Sequence, residues 1–282
     1  MTTANSDQVE RWNSSAEGGH WVDQQQSFDG MLAPFVDMII DGAAVADGDR
    51  VLDVGCGCGA TTIAAARAAG GGAALGVDLS GLMLERARAD AKAAGVENAT
   101  FEQSDAQTHA FEHASFDAVI SRFGVMFFDD PTGAFANVRR AMKPGGRLAF
   151  VCWQPMTDNE WLLVPTAALA QHVAPPAAPQ PGGPGMFSFA DPKRPSSVLE
   201  SAGWHDVTAA DVRTPIYVGG PGDVEHAVQF LRTGSIGRAW LDGADADTEA
   251  NALDAVRSAL APHHDGTGVS IDAAVWLVTA IA

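Results

Sequence analysis

Cysteine is scarce in this chain of 282 residues, which has three, at Cys56, Cys58 and Cys152. Three cysteines do not build a disulfide framework, and their scarcity fits a reducing cytoplasm. Cys56 and Cys58 form a C-x-C pair, but no further thiol or imidazole ligands cluster near them in sequence, so no metal is expected. Cys152 reads as a core residue. Basic residues are also few: lysine and arginine number 17 against 35 aspartates and glutamates, for a formal charge of −18. That balance repels phosphate backbones and anionic lipids and argues against a nucleic-acid partner. The sequence has neither an apolar run of membrane-spanning length nor a stretch built like a signal peptide. A cytoplasmic protein without stable membrane insertion is therefore expected. Internal repeats are absent. Abundant alanine, glycine and aspartate with little lysine suggest a bacterial source.

The chain is long enough for one large domain, or for one domain with an added lid. Its most informative stretch is Val51-Leu52-Asp53-Val54-Gly55-Cys56-Gly57-Cys58-Gly59-Ala60-Thr61-Thr62. It reads as a buried strand, a glycine-rich turn and the start of a helix. Glycines there let the backbone approach a bound nucleoside, because they lack a Cβ and accept positive φ. With Ala60, the turn also satisfies the looser dinucleotide pattern G-x-G-x-x-G/A, so a nicotinamide or flavin enzyme must be weighed. Asp53 stands where a dinucleotide strand usually carries an apolar residue. An acid there suits a ligand with a positive charge or hydroxyl donors.

Four further pieces follow in order. Ala73 to Asp78 is an apolar strand ending in an acid, 25 residues after Asp53, suited to accept both ribose hydroxyls. That acid is expected for either cofactor. Ser80 then caps a helix through about Ala94, with Glu85, Arg86 and Arg88 on its solvated side. Ala99 to Ala106 is a third strand followed by Asp105, at the adenine end of the pocket in a doubly wound sheet. Ser115 to Phe128 is a strand running into an apolar, aromatic loop, and Lys143-Pro144-Gly145-Gly146 is a turn into a fifth strand ending near Val151.

As an ordered set these pieces resemble the class I S-adenosylmethionine (SAM)-dependent methyltransferases, strongly over residues 30 to 153 and by layout beyond. The motifs that carry the resemblance are Val-Leu-Asp-Val-Gly-Cys-Gly-Cys-Gly, Gly-Val-Asp-Leu-Ser, Ser-Asp-Ala, Phe-Asp-Ala-Val-Ile-Ser and Lys-Pro-Gly-Gly-Arg-Leu. The branch they look most similar to is the small-molecule methyltransferases of ubiquinone and menaquinone biosynthesis. The resemblance implies an α/β fold: a Rossmann-like, seven-stranded, mostly parallel sheet with helices on both faces, an antiparallel C-terminal strand and inserted lid elements. It implies that Asp53, Gly55, Cys56, Gly57 and Gly59 line the methionine end of SAM. Asp78 and Leu79 would hold the ribose, Asp105 and Ala106 the adenine, and Ser121 would approach from the fourth strand.

The expected organisation is a lid segment at 1–28, a cofactor core at 29–153, an insertion at 154–190, more core at 191–213, a helical insertion at 214–268 and a last strand at 269–282. The first ten residues are polar and expected to fray. A helix is expected near Phe28 to Ala46. The proline- and glycine-rich run from Val173 to Gly185 excludes regular structure. Helices are expected at Pro192 to Gly203, Asp223 to Thr233 and Asp247 to Leu260, and strands at Trp204 to Val212 and over 269–281. Both insertions are expected to roof the substrate site. Trp12 and Trp21, in the lid, could each set a ring face near a sulfonium, and simple packing of either ring on the domain accounts for it equally well.

Methyl transfer asks the protein to align nucleophile, methyl and sulfur, and needs a base only where the acceptor must lose a proton. His20 and His172 are the candidates favoured by location, although a structural or solvated role suits each better. His109, His113, His263 and His264 fall in polar turns. Asp129-Asp130 reads as an N-cap for the helix beginning at Pro131. Phe123, Met126, Phe127, Trp153, Met186 and Phe187 are candidates for an apolar or aromatic acceptor pocket, with Phe128, Met156, Trp161 and Phe189 nearby in sequence. The expected acceptor is a small, largely apolar metabolite of secondary metabolism, and O-, N- and C-methylation are not distinguished. An NAD(P)-dependent oxidoreductase and a SAM-binding protein without transfer activity remain as alternatives. A homodimer is compatible with the sequence, which does not specify oligomeric state.

Overall fold

The computed structural model describes residues 5–177 and 183–282. The first four residues of the start expected to fray, and 178–182 of the proline-rich run, lie outside the described residues. The chain opens with helices α1 (Ser6–Asn13), α2 (His20–Asp23), α3 (Gln25–Leu32) and α4 (Pro34–Gly42), with a π-helical turn between α1 and α2. Strand and helix then alternate: β1 (Arg50–Val54), α5 (Ala60–Ala68), β2 (Ala73–Asp78), α6 (Gly81–Ala93), β3 (Ala99–Gln103), β4 (Phe116–Arg122), α7 (Pro131–Ala141) and β5 (Met142–Trp153). After α8 (Glu160–Leu169) and α9 (Lys193–Ser201) comes β6 (His205–Tyr217), and after α10 (Val224–Thr233), α11 (Ser235–Leu241) and α12 (Ala246–Leu260) comes β7 (Ser270–Ile281).

The seven strands form one sheet in the order β3-β2-β1-β4-β5-β7-β6. β7 runs antiparallel to both its neighbours, while the β1, β2, β3, β4 and β5 pairings are parallel. This is the expected fold class. β1 and β2 carry the chain outward on one side, and β4 restarts it on the other. The strand order therefore reverses between β1 and β4, and open α/β sheets bind ligands beyond the carboxyl ends of the strands at such a point. Val51, Leu52, Val119 and Ile120 at this switch are essentially inaccessible, as central parallel strands covered on both faces require.

Several boundaries differ from the sequence expectation. The single helix near Phe28 to Ala46 is two helices meeting at Ala33-Pro34, since proline at the second helix's first position suits a new start. β5 begins at Met142 and absorbs the Lys-Pro-Gly-Gly turn, with an irregular register against β4 between Phe116 and Ala118. β6 continues through Pro215 to Tyr217, which an edge strand tolerates because its outward N–H side needs no partner. α8 holds Pro165 in its interior and α11 lies between the two helices expected in the second insertion. The polar start is helical from Ser6. The Asn5 amide, just ahead of that helix, donates to Asp105 Oδ1 at 2.9 Å, and its oxygen accepts from the Asp129 N–H at 3.0 Å.

Two buried features fix the switch point. Asp53, fully buried on β1, accepts from Thr61 Oγ1 at 2.8 Å and Thr62 Oγ1 at 2.6 Å, tying the strand to the first turn of α5. Burial pushes its carboxyl up to about 6, against the pull of the two hydroxyls and of Arg122. Phe35 of α4 sets its ring edge on Phe123 at 5.3 Å and on Trp153 at 5.8 Å, and those two rings stack at 4.2 Å.

Each feature gives a stability test. Unfolded, Asp53 loses its proton near its ordinary value of 3.8; folded, it keeps it until about 6. The folded chain thus binds the extra proton between those values, and stability falls as pH rises through them. In denaturant titrations, the stability of the wild type relative to Asp53→Asn should fall by about 3 kcal/mol between about pH 4 and pH 7; a pH-independent difference would refute the assignment. Phe35→Ala should cost about 3–5 kcal/mol of unfolding free energy, and a loss below about 1 kcal/mol would show that the Phe123–Trp153 stack does not rest on it.

Candidate active site

The site is built on the turn from β1 into α5. Gly55, Gly57 and Gly59 have φ of 69°, 54° and 86°, which only glycine adopts without strain. Gly55 also meets Gly124, just beyond β4: a Cβ on either would stand 2.7 Å from the other's Cα. Four N–H groups of this turn are already engaged. Gly55 and Cys56 donate to the Val77 carbonyl at 2.9 and 3.1 Å, and Gly59 to the Cys56 carbonyl at 2.9 Å. Gly57 donates to Asp78 Oδ2 at 2.8 Å.

Asp78 ends β2 and accepts from the Ser80 N–H through Oδ1 at 2.9 Å as well. Burial raises its carboxyl above the usual carboxylate range, and these backbone donors oppose the rise. Ser80 caps α6 by accepting from the Met83 N–H. On the neighbouring strand, Asp105 follows β3 and accepts from the Gln107 N–H at 2.9 Å, besides the Asn5 amide. Asp78, Leu79, Asp105 and Ala106 line one cavity with Gly55, Cys56, Gly57 and Cys58. Burial lifts both thiols, Cys58 to about 12. They are neutral at physiological pH.

The N-terminal helices roof this cavity. Asn13 staples them down: its Nδ2 donates to the Leu79 carbonyl at 3.0 Å and its Oδ1 accepts from the Gly81 N–H at 3.1 Å. Trp12 stands edge-on to Phe127 at 5.1 Å and to Trp21 at 6.3 Å, and Trp21 stacks on Phe28 at 3.7 Å. Trp12, Trp21, Phe28, Leu32, Phe123, Phe127 and Phe128 supply the apolar wall. Phe123, with φ of 68°, holds a conformation uncommon for a bulky residue. Among the described residues, the charged lining consists of Asp29, Asp78, Asp105 and Arg122, three acids to one base.

Other residues singled out in the sequence stand elsewhere. Asp53 lies behind the wall on Thr61 and Thr62, and Ser121 Oγ donates to the Val54 carbonyl at 2.7 Å, bracing β4 against β1. Gly59 faces away from the cavity, against Ala87 and Phe101. Met126 and Trp153 are buried in the core. Met186 and Phe187 pack on that core from outside, where the Gly185 N–H and Ser188 Oγ both bond the Met126 carbonyl. No residue of 154–190 or 214–268 lines the cavity among the described residues; the second insertion instead braces the roof, through Arg238 to Glu17 at 2.8 Å and Phe230 against Phe28 at 5.0 Å. His20 sits behind Phe28, rings perpendicular at 6.0 Å, with its basicity lowered first by burial. His172 is exposed in the turn after α8. Gln25, Asp29 and Arg122 line the cavity and were missed in the sequence. The one available signal was an arginine ending a buried strand.

Comparison with known proteins points the same way. Residues 51–146 match a family model described as a methyltransferase domain. Over 120 residues the chain is 37% identical to aklanonic acid methyltransferase DauC of Streptomyces sp. (strain C5), covering 42% of this chain and 54% of that one. Over 158 residues it is 30% identical to 27-O-demethylrifamycin SV methyltransferase of Amycolatopsis mediterranei, covering 56% and 55%. The matches thus span about half the length of these curated relatives. Among solved structures, a putative methyltransferase from Bacillus halodurans superposes with a TM-score of 0.53 at 18% identity, covering 89% of this chain and 97% of that one, a likeness of fold. With its glycine turn, its β2 and β3 acids and its strand order, the chain carries a methyltransferase domain over residues 51–146.

Proposed function

We propose that the chain is a SAM-dependent methyltransferase acting on a small, largely apolar or aromatic metabolite of secondary metabolism. The observation that carries the cofactor choice is the state of the glycine turn. In a dinucleotide enzyme the turn's N–H groups face a pyrophosphate. Here the N–H groups of Gly55, Cys56, Gly57 and Gly59 are already accepted within the chain, one of them by the Asp78 carboxylate. Three acids against one arginine around the cavity oppose a pyrophosphate and favour a cation. When bound, SAM supplies an activated methyl group on a sulfonium.

The residues fit such a group. Asp78 and Leu79 would hold the ribose, Asp105 and Ala106 the adenine, and the Gly55–Gly57 turn the methionine side. Trp12 and Trp21 line the cavity with aromatic surface, of a kind that attracts positive charge. Asp53 and Ser121 would act through the turn, one by tying β1 to α5 and the other by bracing β4. Phe123, Phe127, Phe128 and Leu32 form the apolar wall against which an acceptor would be aligned. No histidine lines the cavity among the described residues, and we assign no general base. The organisation that best fits is a catalytic core closed by the N-terminal helices, with the second insertion bracing them from outside and the first packed on the core.

Asp78 is the residue on which this reading is easiest to break. Asp78→Ala should weaken SAM binding in calorimetry by about 2 kcal/mol or more, because charge-assisted bonds to the ribose are lost. Gly57 and Ser80 donate to different oxygens of Asp78, so Asp78→Asn keeps an acceptor for only one of them, and it should still bind less tightly than wild type. Unchanged affinity in both variants would remove Asp78 from the ribose site. Turnover confined to highly charged, polar acceptors in a labelled-methyl screen would refute the acceptor class.

A further inference from the structure

β6 ends the sheet and is 13 residues long, whereas β3 at the opposite edge has 5. A typical strand has about five or six. An open edge of such length is a template for a further strand unless the chain blunts it. The ladder decides which backbone groups lie on the open side. The Gln154 N–H donates to the Ala274 carbonyl at 3.0 Å, so Ala274 faces β5, and its neighbours Ala273 and Val275 face β6. Their partners there are Thr214 and Val212. The alternate residues Ala209, Asp211 and Arg213 therefore turn N–H and C=O outward. Pro215, which has no N–H, lies on that same outward side.

Asp211 and Arg213 also share one face of the strand, with side chains 56% and 52% exposed. Gln154 holds both: its Nε2 donates to Asp211 Oδ1 at 2.8 Å, and its Oε1 accepts from Arg213 Nη2 at 3.3 Å. Arg213 Nε stands 3.6 Å from Asp211 Oδ1, and Nη1 donates to the Asp158 carbonyl at 3.3 Å. An acid and a base two positions apart, held on an open edge, make that edge self-complementary. When two copies of β6 meet antiparallel about a two-fold axis at Val212, Asp211 of each lies opposite Arg213 of the other. Registers that keep outward groups against outward groups differ in steps of two residues. The register on one side of this one sets Asp211 against Asp211, and the register on the other sets Arg213 against Arg213, both destabilising.

We propose that β6 is a homodimer edge, at which two copies of this chain join through antiparallel β6–β6 pairing with Val212 on the two-fold axis. At two symmetric positions Asp211 and Arg213 exchange both backbone hydrogen bonds and form an ion pair between copies. Pro215 falls opposite Ala209, so the missing N–H lies toward the end of the new ladder and spares its centre. The two sheets become one continuous sheet. β6 lies three strands from β4, so each copy keeps its own cavity at the switch point, and the pairing does not depend on which cofactor that cavity takes.

Sedimentation equilibrium of the full chain tests the pairing. Each copy carries a formal charge of −18, and the repulsion is screened at physiological salt, where the Debye length is about 8 Å. A concentration-dependent dimer is expected; a monomer throughout the micromolar range overturns the proposal without recourse to any variant. Asp211→Arg and Arg213→Asp should each weaken the dimer about ten-fold or more, because the axis turns two attractive pairs into two repulsive ones. The double variant should recover the association. Single variants that dimerise like wild type, or a double variant no better than the singles, overturn the proposal. Val212→Cys adds a readout that requires no loss of association. Its two thiols meet at the axis in a non-hydrogen-bonded pair, with Cα atoms about 4.5 Å apart and within reach of a disulfide. Oxidation should link Val212→Cys into a covalent dimer and leave Thr208→Cys unlinked, since Thr208 falls opposite Ile216 and the three native cysteines are buried. Linking of both variants alike, or of neither, overturns the proposal.

Discussion

Contact between two backbones, at Gly55 and Gly124, is the constraint from which the site follows. The ends of β1 and β4 come so close that a Cβ on either glycine would stand 2.7 Å from the opposing Cα. That approach folds the turn down beside Val77, whose carbonyl accepts two of its N–H groups, and brings Gly57 onto Asp78. It also holds open the switch point between β1 and β4, where the order of strands reverses. Side chains then complete the cavity: two acids from the ends of β2 and β3, an aromatic loop after β4, and the N-terminal helices above.

The turn and the acids were legible because their chemistry is local. A glycine requirement, an apolar strand ending in aspartate and a serine cap each occupy a few adjacent residues, and Ser80 caps α6 as its position in the sequence suggests. A lid was expected at 1–28, but the contacts that hold it were not legible in the same way. Its helices are held by single polar contacts to residues far along the chain, from Asn5 to Asp105 and Asp129 and from Asn13 to Leu79 and Gly81. Nothing in the local pattern of polar and apolar residues encodes such partners. Two prolines sit inside regular elements, Pro215 within an edge strand and Pro165 within α8, where tertiary context outweighs local preference.

The aromatic residues illustrate the same limit. Large apolar side chains in the first insertion looked available for an acceptor, but Trp161, Met186, Phe187 and Phe189 belong to the core or pack against it. The rings that face the cavity come instead from the N-terminal helices and the loop after β4. Spacing along the sequence identifies which segments are apolar; the topology decides which of them reach the switch point. Arg122 was hidden for a related reason. A charged residue at the end of a buried strand reads as the strand's boundary until its partner, Asp29, arrives from a helix 93 residues away.

The central claim is that this glycine turn serves a cationic sulfur nucleoside and not a pyrophosphate. Isothermal titration of the purified chain with SAM, S-adenosylhomocysteine, NADH and NADPH tests it most directly. The account predicts saturable binding of the two sulfur nucleosides and none of the nicotinamide cofactors. Binding of a nicotinamide cofactor alone would contradict it, and would mean that the N–H groups now held by Val77 and Asp78 are released to a phosphate.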